Sequence, residues 1–205
     1  MTASVHLAFD TTAAHCAAAL SWGTPAGERF ETRCEPMAKG QAERLLPMIE
    51  ELLAAHGFAV ADVASVSVGT GPGNFTGIRI AVALARGLAL GLGVPAAGVT
   101  GFHAARHAAA RQDPLWVLID APRGQVYAQR YGAEPGLPLI LGPEAVSTLD
   151  APVVRLADLS ADRIVRAVAE VGRAGLSTPQ PRPAPFYLRG ADAAPPSDPP
   201  PVILP

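Results

Sequence analysis

Residues 69–79 read GTGPGNFTGIR, and they constrain the fold more than any other stretch. Four glycines and one proline in eleven positions set a turn, because glycine reaches positive φ at little cost and proline fixes φ near its helical value. Before the turn, Val63, Val66 and Val68 read as a buried strand; after it, Thr76 offers a hydroxyl to cap the first amides of a helix over 77–92. A strand, a glycine turn and a capped helix place bare amides where an anion or a close-packed backbone can sit. The turn alone does not choose between phosphate and packing.

Several classes of function are excluded or disfavoured by the rest of the chain. With 205 residues, 49% of them apolar, it has material for one large domain or two small ones around a sizeable core. The net charge is −2 and the arginines are spread without a run, which argues against strong direct binding of nucleic acid. Lys39 is the only lysine, so there is no GxxxxGK[ST] phosphate loop and no Schiff-base lysine other than Lys39 itself. Cys16 and Cys34 lack CxxC spacing and read as two reduced thiols of a cytosolic protein. The opening MTASVHLAFDTT has neither a basic region nor a long apolar core, so no signal peptide is expected. Residues 87–105 carry no Asp, Glu, Lys or Arg, but five glycines and Pro95 divide them into a helix end, a turn and a strand, and no membrane span is expected.

In chain order, residues 5–10, 15–20 and 29–33 read as three strands in a meander, followed by a helix over 41–56 with Leu45, Ile49 and Leu52 on one stripe. Pro47 removes one intrahelical bond there, so a kink or a later helix start near Leu45 is expected. The strand at 63–68, the glycine turn, its helix and a short strand over 95–99 complete a first unit. The pattern restarts at LWVLID, 115–120, with APRG as a turn, 125–131 as a partner strand, 137–141 as a third strand and 161–172 as a helix. Asp120 repeats the situation of Asp10, which suggests two related α/β halves. Ten of the 21 prolines fall from Pro179 onward, so an extended or disordered end is expected, with only 186–189 docking on a core and a tail beyond Gly190.

Asp10 is the first candidate for chemistry, since a carboxylate ending a central strand can hold a magnesium-bound water or orient a phosphate; it can equally cap its own turn through the amides of Thr12 or Ala13. Arg123, in the turn after Asp120, reads as a phosphate or carboxylate clamp or as an ordinary hairpin arginine. His103 and His107 share an i,i+4 spacing, but HAARH lacks the glutamate of HExxH and has no third ligand nearby. No GxSxG elbow marks a nucleophile. On the 77–92 helix, Gly77, Ala81, Ala85 and Ala89 recur every fourth residue, and only Arg79 and Arg86 interrupt an apolar surface. Such a helix is either enclosed within its domain or covered in part by another chain.

Together, LAFDTT at Leu7, ERLLPMIEELL at Glu43, GTGPGNFTGIRIAVALARGLAL at Gly69, IDAPRGQVYA at Ile119 and PFYLR at Pro185 resemble the TsaB (YeaZ) family of tRNA threonylcarbamoyladenosine biosynthesis proteins, in the family's order. The glycine-turn block is the most specific of these. The resemblance implies an α/β fold of the two-domain actin-like, sugar-kinase and Hsp70 ATPase type, ribonuclease H-like in each half. The expected division is a first domain over 1–109, a smaller second domain over 110–189 and a Pro-rich tail over 190–205. It further implies a non-catalytic subunit that pairs with its relative TsaD, which transfers a threonylcarbamoyl group to the tRNA adenosine beside the anticodon, with the ATPase TsaE joining them.

In that reading the partner interface comprises Leu45, Ile49, Leu52, Gly77, Ala81, Ala85 and Leu88, a homodimer uses the same face when TsaD is absent, and tRNA is reached only through the complex. A cleft for ATP or ADP at the shared interface would involve Asp10, Thr11, Gly71, Gly73, Asn74, Asp120 and Arg123, with no cofactor tightly bound. The chain departs from the relatives' patterns twice. Gln41 stands where relatives often carry a histidine and the HxxxH metal pair of TsaD is missing, and no Gly-rich strand-turn occurs over 153–175, which leaves a reduced second domain. The competing readings are an autonomous ATP-dependent enzyme of the sugar-kinase type and a metallopeptidase.

Overall fold

The computed structural model describes residues 4–189. Three antiparallel strands open the chain: β1 (Val5–Asp10), β2 (His15–Thr24) and β3 (Gly27–Pro36). Helix α1 (Gln41–Ala55) then leads to β4 (Val63–Gly69), α2 (Phe75–Leu92), β5 (Ala96–Val99) and α3 (Gly101–Ala109). The first sheet has the order β3-β2-β1-β4-β5, with β4 and β5 parallel to β1. A second sheet is built from β6 (Leu115–Asp120), β7 (Val126–Tyr131), β8 (Leu139–Leu141) and β9 (Val153–Arg155), in the order β8-β7-β6-β9. Between β8 and β9 lies a single helical turn, α4 (Pro143–Val146), and α5 (Ala161–Gly175) follows β9.

The echo of Asp10 in Asp120 is a repeat of topology. In each sheet a central strand pairs antiparallel with the strand after it, that strand pairs antiparallel with the next, and the central strand's other edge takes a parallel strand after a crossover. Asp10 and Asp120 end the two central strands. The second copy has four strands where the first has five, and the four-residue α4 where the first has the fifteen-residue α1. That is the reduced second half expected from the chain, and the mixed α/β arrangement is that of the actin-like fold.

Alternation along the strands divides the core. Val5, Leu7 and Phe9 of β1, with Cys16, Ala18 and Leu20 of β2, face α1 and α2; Ala8, Ala17 and Ala19 face the other way, into a cluster that contains α5, α3 and the β6 residues Leu115, Val117 and Ile119. Helix α5, which belongs by sequence to the second half, thus packs on the first sheet. It approaches closely at Gly172, where a Cβ would lie 2.0 Å from the Ser67 hydroxyl. Beneath it, His6 is held between Ser65 and Ser67, with Nδ1 2.7 Å from one hydroxyl and Nε2 3.0 Å from the other. Burial first, and the positive charge of Arg173 second, push the imidazole down to about 4.

Three details differ from the sequence reading. Helix α1 begins at Gln41 and runs through Pro47 without ending, Pro47 lying on the exposed side. A helix, α3, occupies Gly101–Ala109, capped by Thr100, whose hydroxyl accepts from the His103 amide. The cap of α2 is Asn74, one residue before the helix, because its side-chain oxygen accepts from both Thr76 and Gly77 amides; Thr76 is already inside the first turn. The docking of 186–189 is as expected: the Phe186 amide donates to the Thr70 carbonyl at 2.8 Å and Tyr187 stacks on Phe75 at 5.0 Å. The tail expected beyond Gly190 lies outside the described residues.

Candidate functional site

The glycine turn joins β4 to α2 and lies against the β1–β2 turn. Built Cβ atoms show how close the approach is. At Gly69 a Cβ would stand 1.7 Å from Asp10 Oδ2, at Gly73 2.1 Å from the Thr12 carbonyl oxygen, and at Gly77 1.8 Å from the Thr11 carbonyl oxygen. Gly71 carries φ +97 and its carbonyl accepts from the Gly101 amide at 2.8 Å, tying the turn to α3. Across the same seam, the Asn74 amide donates to the Thr12 carbonyl at 2.7 Å and the Thr11 hydroxyl donates to the Gly77 carbonyl at 2.7 Å.

The structure therefore brings Asp10, Thr11, Gly71, Gly73 and Asn74 together, and it does so by packing. The amides of Asn74, Thr76 and Gly77, which sequence reasoning held open for an anion, are bonded within the chain. Asp10 is 2% exposed and acts as the turn cap: Oδ1 accepts from the Thr12 amide and hydroxyl, each at 3.0 Å, and lies 2.7 Å from His15 Nε2. Burial of His15 disfavours its charge, but the Asp10 carboxylate outweighs it and leaves the imidazole above its ordinary value. His15 was missed as a partner for Asp10, although the five-residue separation across a tight strand turn is a usable signal.

Asp120 and Arg123 sit at the corresponding end of the second sheet. The Asp120 side chain is 70% exposed, 3.6 Å from Arg155, and lines a cavity of about 290 Å³ with Gln125, Pro143 and Val146. Arg123 adopts φ 64 in the turn after β6. His103 and His107 share helix α3 but go separate ways: His103 packs against the Tyr131 ring at 5.9 Å, and His107 Nε2 lies 2.7 Å from Glu170. Burial pushes the Cys16 and Cys34 thiols up to about 11 and about 12, so neither is a ready nucleophile.

The helix face chosen for a partner has to be corrected. Leu45, Ile49, Leu52, Gly77, Ala81 and Ala85 are buried in this chain's own core, where they hold α1 and α2 against the first sheet; Leu88 alone of that set is half-buried. Small residues at every fourth position serve close packing on β4 and on the β1–β2 turn. The outward stripe of α2 is instead Arg79, Ala83, Arg86 and Leu90, spaced i, i+4, i+7 and i+11, and Leu90 is 80% exposed. Leu46 and Pro47 extend the exposed surface on α1. Among the described residues α2 is the one helix long and apolar enough to cross a membrane, with a mean hydropathy of 1.5, yet 28% of it is buried in the fold. Its apolar surface therefore exceeds what the described residues cover.

Sheet order, duplicated half and glycine turn define the class: an actin-like α/β protein whose first half carries a closely packed strand-turn-helix. Residues 35–149 match the family model described as TsaD: tRNA N6-adenosine threonylcarbamoyltransferase. The chain is 34% identical over 128 residues to the tRNA threonylcarbamoyladenosine biosynthesis protein TsaB of Escherichia coli, covering 61% of this chain and 54% of that protein. An uncharacterized protein of Mycobacterium tuberculosis is 33% identical over 175 residues, covering 77% of this chain and 79% of that one. The solved YeaZ structure from Pseudomonas aeruginosa superposes with a TM-score of 0.71 at 26% identity, covering 90% of this chain and all of that one. The chain belongs to the TsaB (YeaZ) family. It spans about half the length of the curated TsaB relatives it matches.

Proposed function

We propose that this chain is a non-catalytic subunit of tRNA threonylcarbamoyladenosine synthesis, which binds a TsaD partner through the outward face of α1 and α2, with TsaE joining the pair. The observation that carries the reading is the outward stripe of α2, on which Ala83 and the 80% exposed Leu90 alternate with Arg79 and Arg86. A helix from each protein laid along that stripe would bury Leu90 against apolar side chains, worth about 2 kcal/mol for a leucine. Because partner and chain share a family model, the same face also suits a second copy of this chain when TsaD is absent.

Replacement of Ala83 by Trp and of Leu90 by Asp tests the assignment. Both side chains point away from the core, so the variants fold, and each is expected to lose capture of TsaD from the cell extract. Undiminished capture by both variants contradicts the proposed face. Among the residues of the suggested nucleotide cleft, Asp10 and Asn74 already spend their oxygens inside the chain. A calorimetric titration of the isolated chain with magnesium ATP therefore gives no binding tighter than about 10 μM, roughly 7 kcal/mol, on this account; tighter binding supports the sugar-kinase reading.

A further inference from the structure

The arginines are dispersed in sequence, but the fold draws four of them to one groove. At the C-terminal end of α3, Arg106 and Arg111 face Arg163 and Arg166 of α5 across a cavity of about 540 Å³, which His107 and Glu170 also line. Two of the four arginines have carboxylate partners: Arg106 donates to Asp113 at 2.5 and 3.1 Å, and Arg166 donates to Glu170 at 2.9 Å while lying over the Phe30 ring. Arg163 donates to the Ala108 carbonyl at the end of α3. Among the described residues neither Arg163 nor Arg111 has an acidic partner, and the exposed Arg111 makes no hydrogen bond or ion pair. Four guanidinium groups against two carboxylates leave this groove positive in a chain whose net charge is −2.

The ordinary explanation, that cations neutralise the negative end of α3, accounts for Arg163, which bonds the Ala108 carbonyl; Arg111, just past that end, bonds no carbonyl there. The groove is open, and the side chains of Arg106 and Arg166 are 41% and 56% exposed. A small anion would need enclosure by converging donors; exposed guanidinium forks along a track suit successive phosphates of a chain. We propose that the α3–α5 groove docks the phosphodiester backbone of RNA. The choice of RNA among polyanions rests on the family assignment and on the function proposed above; the positive groove does not.

The test is fluorescence anisotropy of a labelled, unmodified tRNA transcript titrated with the full chain at a series of salt concentrations. Each phosphate contact contributes about 0.9 to the slope of log K against log salt. The variant R111A/R163A is expected to lower that slope by about 2 and to weaken binding about tenfold at low salt, whereas Arg29→Ala, on the exposed edge strand β3, changes neither. Arg111→Glu repeats the loss without touching a residue the fold uses. Equal slopes for wild type and R111A/R163A, or no binding of tRNA by the wild type, overturn the proposal. Saturable binding of inorganic phosphate by the wild type without binding of tRNA also overturns it, in favour of a small phosphorylated ligand. Capture of TsaD by R111A/R163A is expected to be unchanged. If the wild type fails to capture TsaD while the arginine variants still lose tRNA, the subunit reading falls and the groove stands.

Discussion

Replacement of Gly77 by Ala separates packing from propensity at the centre of the fold. Gly77 lies in the first turn of α2, where alanine is favoured over glycine by about 1 kcal/mol. Its Cβ, however, would stand 1.8 Å from the Thr11 carbonyl oxygen, and moving it to the 3.0 Å that real Cβ atoms keep requires about 1.2 Å of separation between two backbone segments. That movement stretches the Thr11 hydroxyl bond to the Gly77 carbonyl and the Asn74 amide bond to Thr12, both 2.7 Å. Overpacking costs about 1–3 kcal/mol and each weakened bond about 1 kcal/mol, so after the propensity gain the net loss is about 3 kcal/mol. For a chain of this size that is about 6–12 °C in Tm. Gly87→Ala on the same helix meets nothing within 4 Å and is expected to raise Tm by about 2 °C. Urea and thermal unfolding at two protein concentrations measure both. A Gly77→Ala protein as stable as Gly87→Ala would refute the packing account of the turn.

Stability should also depend on pH through two histidines of opposite sign. The His6 imidazole is lowered to about 4 from an ordinary 6.5, so the unfolded chain takes up its proton first; about 2 kcal/mol is lost between pH 7 and pH 5, and a His6→Gln protein should show a smaller fall in urea midpoint over that range. His15 is raised, so its ion pair with Asp10 stabilises below the ordinary histidine value and fades as pH rises through the folded one; Asp10→Asn should remove that gain at pH 6 and matter less at pH 9. Asp120→Asn, at an exposed carboxylate 3.6 Å from Arg155, should change the unfolding midpoint by less than about 0.5 kcal/mol, checked by the same titrations.

Much of the fold was legible because its signals are local. Alternating valines, the GTGPGNFTG turn and the repeated aspartate announced β4, the turn and the second sheet, and the family blocks added the global arrangement. The α3 helix was hidden by its glycine start and by alanines that carry no apolar stripe. The partner face was misassigned because small residues at every fourth position look alike whether they let a helix approach its own sheet or another protein. Only three-dimensional placement distinguishes them: Ala81 and Ala85 are fully buried, while Ala83 and Leu90 face outward. The arginine groove was illegible for the same reason, since its members meet through helix packing and not through sequence spacing, whereas the Asp10–His15 pair spans one tight turn.

In the proposed complex TsaD packs on the exposed face of α2 and depends on that contact to act. Threonylcarbamoyladenosine formed per tRNA by purified TsaD and TsaE, supplied with threonylcarbamoyl adenylate and ATP, is measured with and without the chain. Product is expected only when the chain is present, and about thirtyfold less at sub-saturating chain when Leu90→Asp replaces it. Full-rate product without the chain, or undiminished product with Leu90→Asp, would contradict that dependence.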